Sequence, residues 1–138
     1  MSLEPDLPFE FTVLGTAMSL VASTESKQAW KDTIRAAARA AQPEGAWLFT
    51  DPLAVTIYIF PGGVMRGDID NRIKLILDAL VRCVYSDDEI IERIVVQKFE
   101  PGRYFAFGNP TDKLLTALES TAPIVYIRIS DDLHEELA

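Results

Sequence analysis

Residues 67–88, GDIDNRIKLILDALVRCVYSDD, attach three polar features to one apolar period. Ile73, Ile76, Leu77, Leu80 and Val84 recur at three- and four-residue spacing, which predicts a helix from about Asn71 to Val84 with one face turned to a core. Asp70, Lys74 and Asp78 recur at i, i+4 and i+8, a polar line on another side of the same rod. Asp70 also suits the N-cap, where a carboxylate accepts free backbone N–H bonds. A solvated ion-pair row is the ordinary explanation of such a line. The density of acids points further. Asp68 and Asp70 face the same way if the entry is extended, and Asp87 and Asp88 arrive where the helix ends. Carboxylates supplied from different elements suit a hard cation such as Mg²⁺.

Upstream, LAVTIYIF at Leu53 to Phe60 has apolar residues on both faces, the pattern of a strand central in its sheet. The glycine-containing segment 61–67 then leads to Asp68 as a hinge or tip, without the spacing of a phosphate-cradling loop. Phe9, Phe11 and Val13 alternate with Glu10 and Thr12 as a short strand ended by Gly15. From about Thr24 to Ala41 the period becomes helical: Trp30, Ile34, Ala37, Ala38 and Ala41 share a face, Ser23 or Thr24 caps it, and Pro43 begins its stop. Lys27, Lys31, Arg35 and Arg39 repeat every four residues on its other side, a basic line suited equally to solvent and to a phosphate backbone.

Downstream, residues 90–99 read as a half-buried strand in which Ile94 and Val96 alternate with Arg93, Val95 and Gln97. Residues 101–110 form a loop carrying Arg103, Tyr104, Phe105 and Phe107; such aromatics stack on exposed bases or, more commonly, cover a core edge. Leu114, Leu115 and Leu118 suggest a short helix, and residues 124–129 a final strand. The order β-α-β-α-β-(α)-β predicts a single α+β domain, residues 1–138, with a small mixed sheet and two main helices packed against it. Acidic flexible ends are expected at about 1–7 and 131–138.

A net charge of −8 runs against the basic footprint usual for nucleic-acid binders. Six acids lie near the ends: Glu4, Asp6, Asp131, Asp132, Glu135 and Glu136. Setting them aside leaves 15 acidic against 13 basic residues, a balance of −2 that is compatible with DNA. The lone Cys83 fits a small buried hydrophobe in a reducing cytoplasm, and the lone His134 leaves no histidine cage or Ser–His relay. No apolar run is long enough for a membrane span, and the acidic, proline-containing start resembles no secretory leader.

The run D-x-D-N-x-x-K-x-x-x-D-A-L, followed by D-D and a lysine ten residues further on, resembles the RusA family of Holliday junction resolvases, endonucleases that cut four-way DNA junctions. The positions are Asp68, Asp70, Asn71, Lys74, Asp78, Ala79, Leu80, Asp87, Asp88 and Lys98. The resemblance implies a homodimer that nicks branched DNA at two symmetric places in recombination and repair. It also implies metal-dependent roles for Asp68, Asp70, Lys74 and Asp88, with Mg²⁺ as the ion and Mn²⁺ able to substitute. On that basis Asp70 and Asp88 are the principal ligands, Asp68 a ligand or water-orienting group, and Lys74 the cation at the developing charge. Asn71, Asp78 and Asp87 orient them. Lys27, Lys31, Arg35, Arg39, Arg66, Lys98 and Arg103 are the expected DNA contacts, Lys98 alternatively a structural partner. Spacing alone suggests only a cation site.

One geometric question follows. A helix of about 14 residues at roughly 1.5 Å each separates Asp70 from Asp88 by about 21 Å. Either the chain after Tyr85 returns along the helix or a second subunit supplies Asp88. A non-catalytic metal- or DNA-binding module is the rival reading. A D-x-D phosphatase would have an apolar strand running into Asp68, where GGVMRG stands instead, and a sugar transferase usually needs a longer chain.

Overall fold

Alternating aromatic and polar residues form β1 (Phe9–Leu14), whose Phe9, Phe11 and Val13 point inward. The structure, a computed structural model, describes residues 7–102 and 106–136. After β1 come α1 (Thr24–Ala41), β2 (Leu53–Phe60), α2 (Asp70–Leu80), a 3-10 turn at Asp88–Ile90, β3 (Ile91–Lys98), α3 (Asp112–Glu119) and β4 (Ile124–Ser130). The strands make one sheet in the order β1-β4-β2-β3. β2 and β3 run parallel, while β4 is antiparallel to both β1 and β2. This is the expected α+β architecture, and every residue of the inner strand β2 is buried.

The sheet separates two cores. Phe11, Val55, Ile57, Ile59, Ile127 and their neighbours meet Trp30 and Ile34 of α1 and Ile76 and Leu80 of α2. On the other face Tyr58, Phe60, Phe99 and Tyr126 pack against Leu114 and Ala117 of α3. Phe107 lies against Tyr58 and Phe99, with ring centroids 5.6 Å from each, so it covers a core edge. Each fully buried Leu or Ile contributes about 1.5–3 kcal/mol, whereas an exposed ion pair contributes about 1 kcal/mol or less. Apolar packing therefore fixes α2, and its polar line is free for other work.

Helices α1 and α2 lie start to start and end to end. Leu20 N–H donates to the Asn71 carbonyl at one end (3.1 Å); at the other, Arg35 Nε donates to Ala79 O (3.0 Å) and Gln42 Nε2 to Cys83 O (3.0 Å). Ser23 caps α1 as expected, its Oγ accepting from Ser26 N–H at 3.1 Å.

Helix α2 departs from expectation at both ends. It begins at Asp70 rather than after it: Ile69 holds the N-cap place without a side-chain bond, so Asp70 lies in the first turn, where a carboxylate complements the helix dipole. It stops at Leu80, four residues before Val84. Leu80 O accepts from Cys83 N–H and Val84 N–H at 3.0 and 2.9 Å, and Arg82 turns the chain at φ 60°. Tyr85 OH takes Leu77 O at 2.6 Å and Arg35 takes Ala79 O, supplying partners to carbonyls that the helix end leaves open.

Two further differences concern edges. Ile94, expected inside, is 44% exposed because β3 is the outer strand of the sheet. The acidic segment after β4 folds back: Glu135 accepts from Arg128 Nε and Nη2 at 3.0 and 3.1 Å and from Ser130 Oγ at 3.1 Å. Arg93 Nη1 also donates to the Glu135 carbonyl, at 2.6 Å. Arg128 is little exposed, and pairing it offsets the cost of burying its charge.

Candidate active site

The reversal after α2 decides where Asp88 goes. Short parallel bridges join Tyr85 to Val81 and to Phe49, and Phe49 and Ser86 exchange backbone bonds with this segment (Phe49 N–H to Val84 O, 3.0 Å; Ser86 N–H to Phe49 O, 3.0 Å). The chain thus comes back beside α2. Asp87 then caps the 3-10 turn, its Oδ1 accepting from Asp88 N–H at 2.7 Å, and Asp88 projects at the polar line. Its Oδ2 lies 3.8 Å from Lys74 Nζ, which also donates to Asp78 Oδ1 at 2.9 Å. The chain's own return thus brings Asp88 to the polar line of α2.

Lys74, one helical turn or about 6 Å of rise beyond Asp70, accordingly meets Asp78 and Asp88. The hydrogen bond to Asp78, followed by the charges of Asp78 and Asp88, pushes Lys74 above the ordinary lysine value. It is a cation at neutral pH and not a base. Asp68 and Asp70 are exposed at the start of α2. Among the described residues no three carboxylate, imidazole or thiol groups stand together as a cluster for a metal ion, so Asp68, Asp70 and Asp88 are not all three gathered into one. The donor chemistry nevertheless fits a hard divalent ion: the candidates are accessible carboxylates, and Mg²⁺ commonly binds one or two such groups and completes its shell with water and substrate phosphate.

The approach to Asp68 is held by residues that sequence reasoning assigned elsewhere or passed over. Met65 N–H donates to Glu100 Oε2 at 2.8 Å, and Lys98 Nζ donates to Met65 O at 3.2 Å and lies 3.6 Å from Glu100 Oε1. Lys98 is therefore a structural partner of this segment. Arg72 donates from Nη1 to Ala17 O and from Nη2 to Arg66 O, both at 2.6 Å. Glu100 has no local sequence signature; only the parallel register, which sets Lys98 beside Ile59, brings it under residue 65.

The basic line of α1 is divided. Lys27 Nζ donates to Leu20 O at 3.3 Å and Arg35 is spent on Ala79 O, whereas no hydrogen bond or ion pair holds Lys31 or Arg39 among the described residues. Asn71 contributes its carbonyl to Leu20 N–H, and Arg66 is exposed beside the acidic segment. Arg103, Tyr104 and Phe105 lie outside the described residues. Cys83 is half-buried, and burial pushes its thiol up, as befits an inert side chain.

A mixed sheet with a β-α-β unit whose helix presents accessible aspartates beside a protonated lysine is a framework suited to phosphodiester chemistry. The family profile described as Endodeoxyribonuclease RusA matches residues 11–104. The chain belongs to the RusA family of endodeoxyribonucleases, the Holliday junction resolvases. No curated protein matches it significantly. No described helix is long and apolar enough to cross a membrane.

Proposed function

We propose that this chain is a Mg²⁺-dependent endodeoxyribonuclease, a single RusA-like domain acting as a cytoplasmic homodimer, that resolves Holliday junctions or related branched DNA in recombination and repair. The observation that carries the reading is that Lys74, one turn along α2 from Asp70, meets Asp78 and Asp88 within the stretch matched by the family profile. Asp70 and Asp88 would hold the ion, with Asp68 as a further ligand or the group that orients water; Mn²⁺ would substitute. When bound, the ion supplies charge to the scissile phosphate and lowers the pKa of a water.

The chain's own groups do the rest. Lys74, kept protonated by Asp78 and Asp88, donates to the phosphate oxygen on which charge develops. Asn71, Asp78 and Asp87 hold the neighbouring backbone and the lysine in place. Lys31, Arg39 and Arg66 are the accessible cations for the DNA backbone, with Lys27 and Arg35 beside them.

The test is cleavage of a synthetic four-way junction with and without Mg²⁺ or Mn²⁺. Cutting by the unmodified chain, abolished by Asp70→Asn with folding retained, is the expected result. Junction binding without any cutting would favour a non-catalytic module, for which the partial commitment of the basic line to backbone carbonyls is the supporting observation. Hydrolysis of a small phosphate ester with no action on junctions would sink the nuclease reading.

A further inference from the structure

The segment carrying Asp68 leaves β2 and would be free to sample many conformations were its backbone not held at three polar groups of Met65 and Arg66. Glu100 takes the N–H of Met65, Lys98 takes its carbonyl, and Arg72 takes the carbonyl of Arg66. Glu100 is only 6% exposed, and Lys98 is a half-buried cation 3.6 Å away that offsets its desolvation. Gly67 follows at φ +91°, a backbone state that suits glycine, and Asp68 comes next. The second arm of Arg72 reaches Ala17 O in the connection after β1. One planar guanidinium thus ties the Asp68 approach, the β1–α1 connection and α2 itself, a fork that a lysine ammonium does not reproduce.

We infer that Arg72 and the Glu100–Lys98 pair are positioning residues that set Asp68, and through Gly67 the entry to α2, at the angle the acidic site requires. None of the three is assigned to the reacting atoms: each acts on backbone within three residues of Asp68. The inference rests on the proposed metal-dependent reading of that site. Partners that orient a ligand typically change metal affinity about 10- to 100-fold when removed, while exposed side chains serving only as surface contacts do not.

Arg72→Lys and Glu100→Gln, each conservative in size, provide the test in the full-length chain. Three measurements are compared with the unmodified protein: Mn²⁺ affinity by calorimetry without DNA, the Mg²⁺ concentration giving half-maximal junction cutting, and amide hydrogen exchange of residues 65–68 in metal-free protein. The expected result is about a tenfold loss of Mn²⁺ affinity, a matching rise in the Mg²⁺ requirement with cutting recovered at high Mg²⁺, and faster exchange confined to residues 65–68. Unchanged metal affinity and exchange, in a protein whose Asp70→Asn form is dead, overturns the positioning role alone. An unmodified chain that neither binds Mn²⁺ nor cuts removes the site reading and this inference together. Failure of both variants to fold assigns these residues to stability and likewise overturns it.

Discussion

Asp88 Oδ2 stands 3.8 Å from Lys74 Nζ, although the two residues lie on opposite sides of a chain reversal. The contact exists because α2 ends at Leu80 and the chain doubles back through Tyr85, so a carboxylate from β3's approach meets the polar line of the helix. Asp78 donates nothing to this arrangement but acceptance: its carboxylate holds the ammonium at 2.9 Å and raises its pKa.

Lys74→Ala should therefore lower kcat for junction cutting by about 10²–10³-fold, the usual effect of removing one donor from developing charge. Stability should hardly change, since the lost pairs are solvent-exposed and such pairs contribute about 1 kcal/mol or less. Single-turnover cleavage and a thermal melt check both halves. Full activity in the alanine variant would remove Lys74 from the chemistry.

How far these contacts were legible in the sequence depends on their range. Helix α1 was bounded correctly because Ser23 and Pro43 punctuate it, and β2 because its eight residues are apolar on both faces. The end of α2 was not, since no glycine or proline lies between Leu80 and Val84 and Val84 continues the helical apolar period. What stops the helix is tertiary: Tyr85 and Arg35 take its last carbonyls. Asp70, Lys74 and Asp78 were readable as one line from spacing alone. Arg72 and Glu100 were not, because their partners are backbone groups of distant segments, which leave no mark on residue type.

Tyr85→Phe tests the helix stop. The hydroxyl is buried and donates to Leu77 O at 2.6 Å, so its removal leaves a carbonyl without that partner at a cost of about 1–3 kcal/mol. Urea unfolding should show a lower midpoint with an unchanged slope. Junction cutting should also fall, because the return of the chain sets Asp88. A variant as stable as the parent would show that the reversal does not depend on this bond.

Alkaline titration tests Tyr85 and Tyr126, the two tyrosines with no exposed surface. Burial, then the charges of Asp88 and Asp78, pushes Tyr85 far above its ordinary value of 10.0; burial, then the hydrogen bond to Glu10, does the same for Tyr126. Both folded-state values exceed the unfolded one. Their contribution to stability is therefore complete below about pH 10 and is lost as pH rises beyond it toward the folded values. Absorbance at about 295 nm should show fewer ionised tyrosines in native protein than in urea-unfolded protein at about pH 11, with the remainder appearing as near-ultraviolet circular dichroism collapses. Reversible ionisation of all the tyrosines near pH 10 with native dichroism intact would contradict the burial of these hydroxyls.

The basic line of α1 separates into two experiments because its members do different things. Lys31 and Arg39 are held by no other group among the described residues, whereas Arg35 bonds the carbonyl end of α2. If the line follows a phosphate backbone, Lys31→Ala with Arg39→Ala should weaken junction binding and reduce the salt slope by about 2, roughly one per phosphate contact, at unchanged stability. Arg35→Gln should instead cost about 1 kcal/mol or more of stability through the loss of a charged hydrogen bond at a helix C-terminus. Binding measured across a salt series for each protein, with urea unfolding alongside, distinguishes them. A salt slope untouched by the double substitution would return this face to solvent and leave Arg66 to account for DNA attraction near the acidic site.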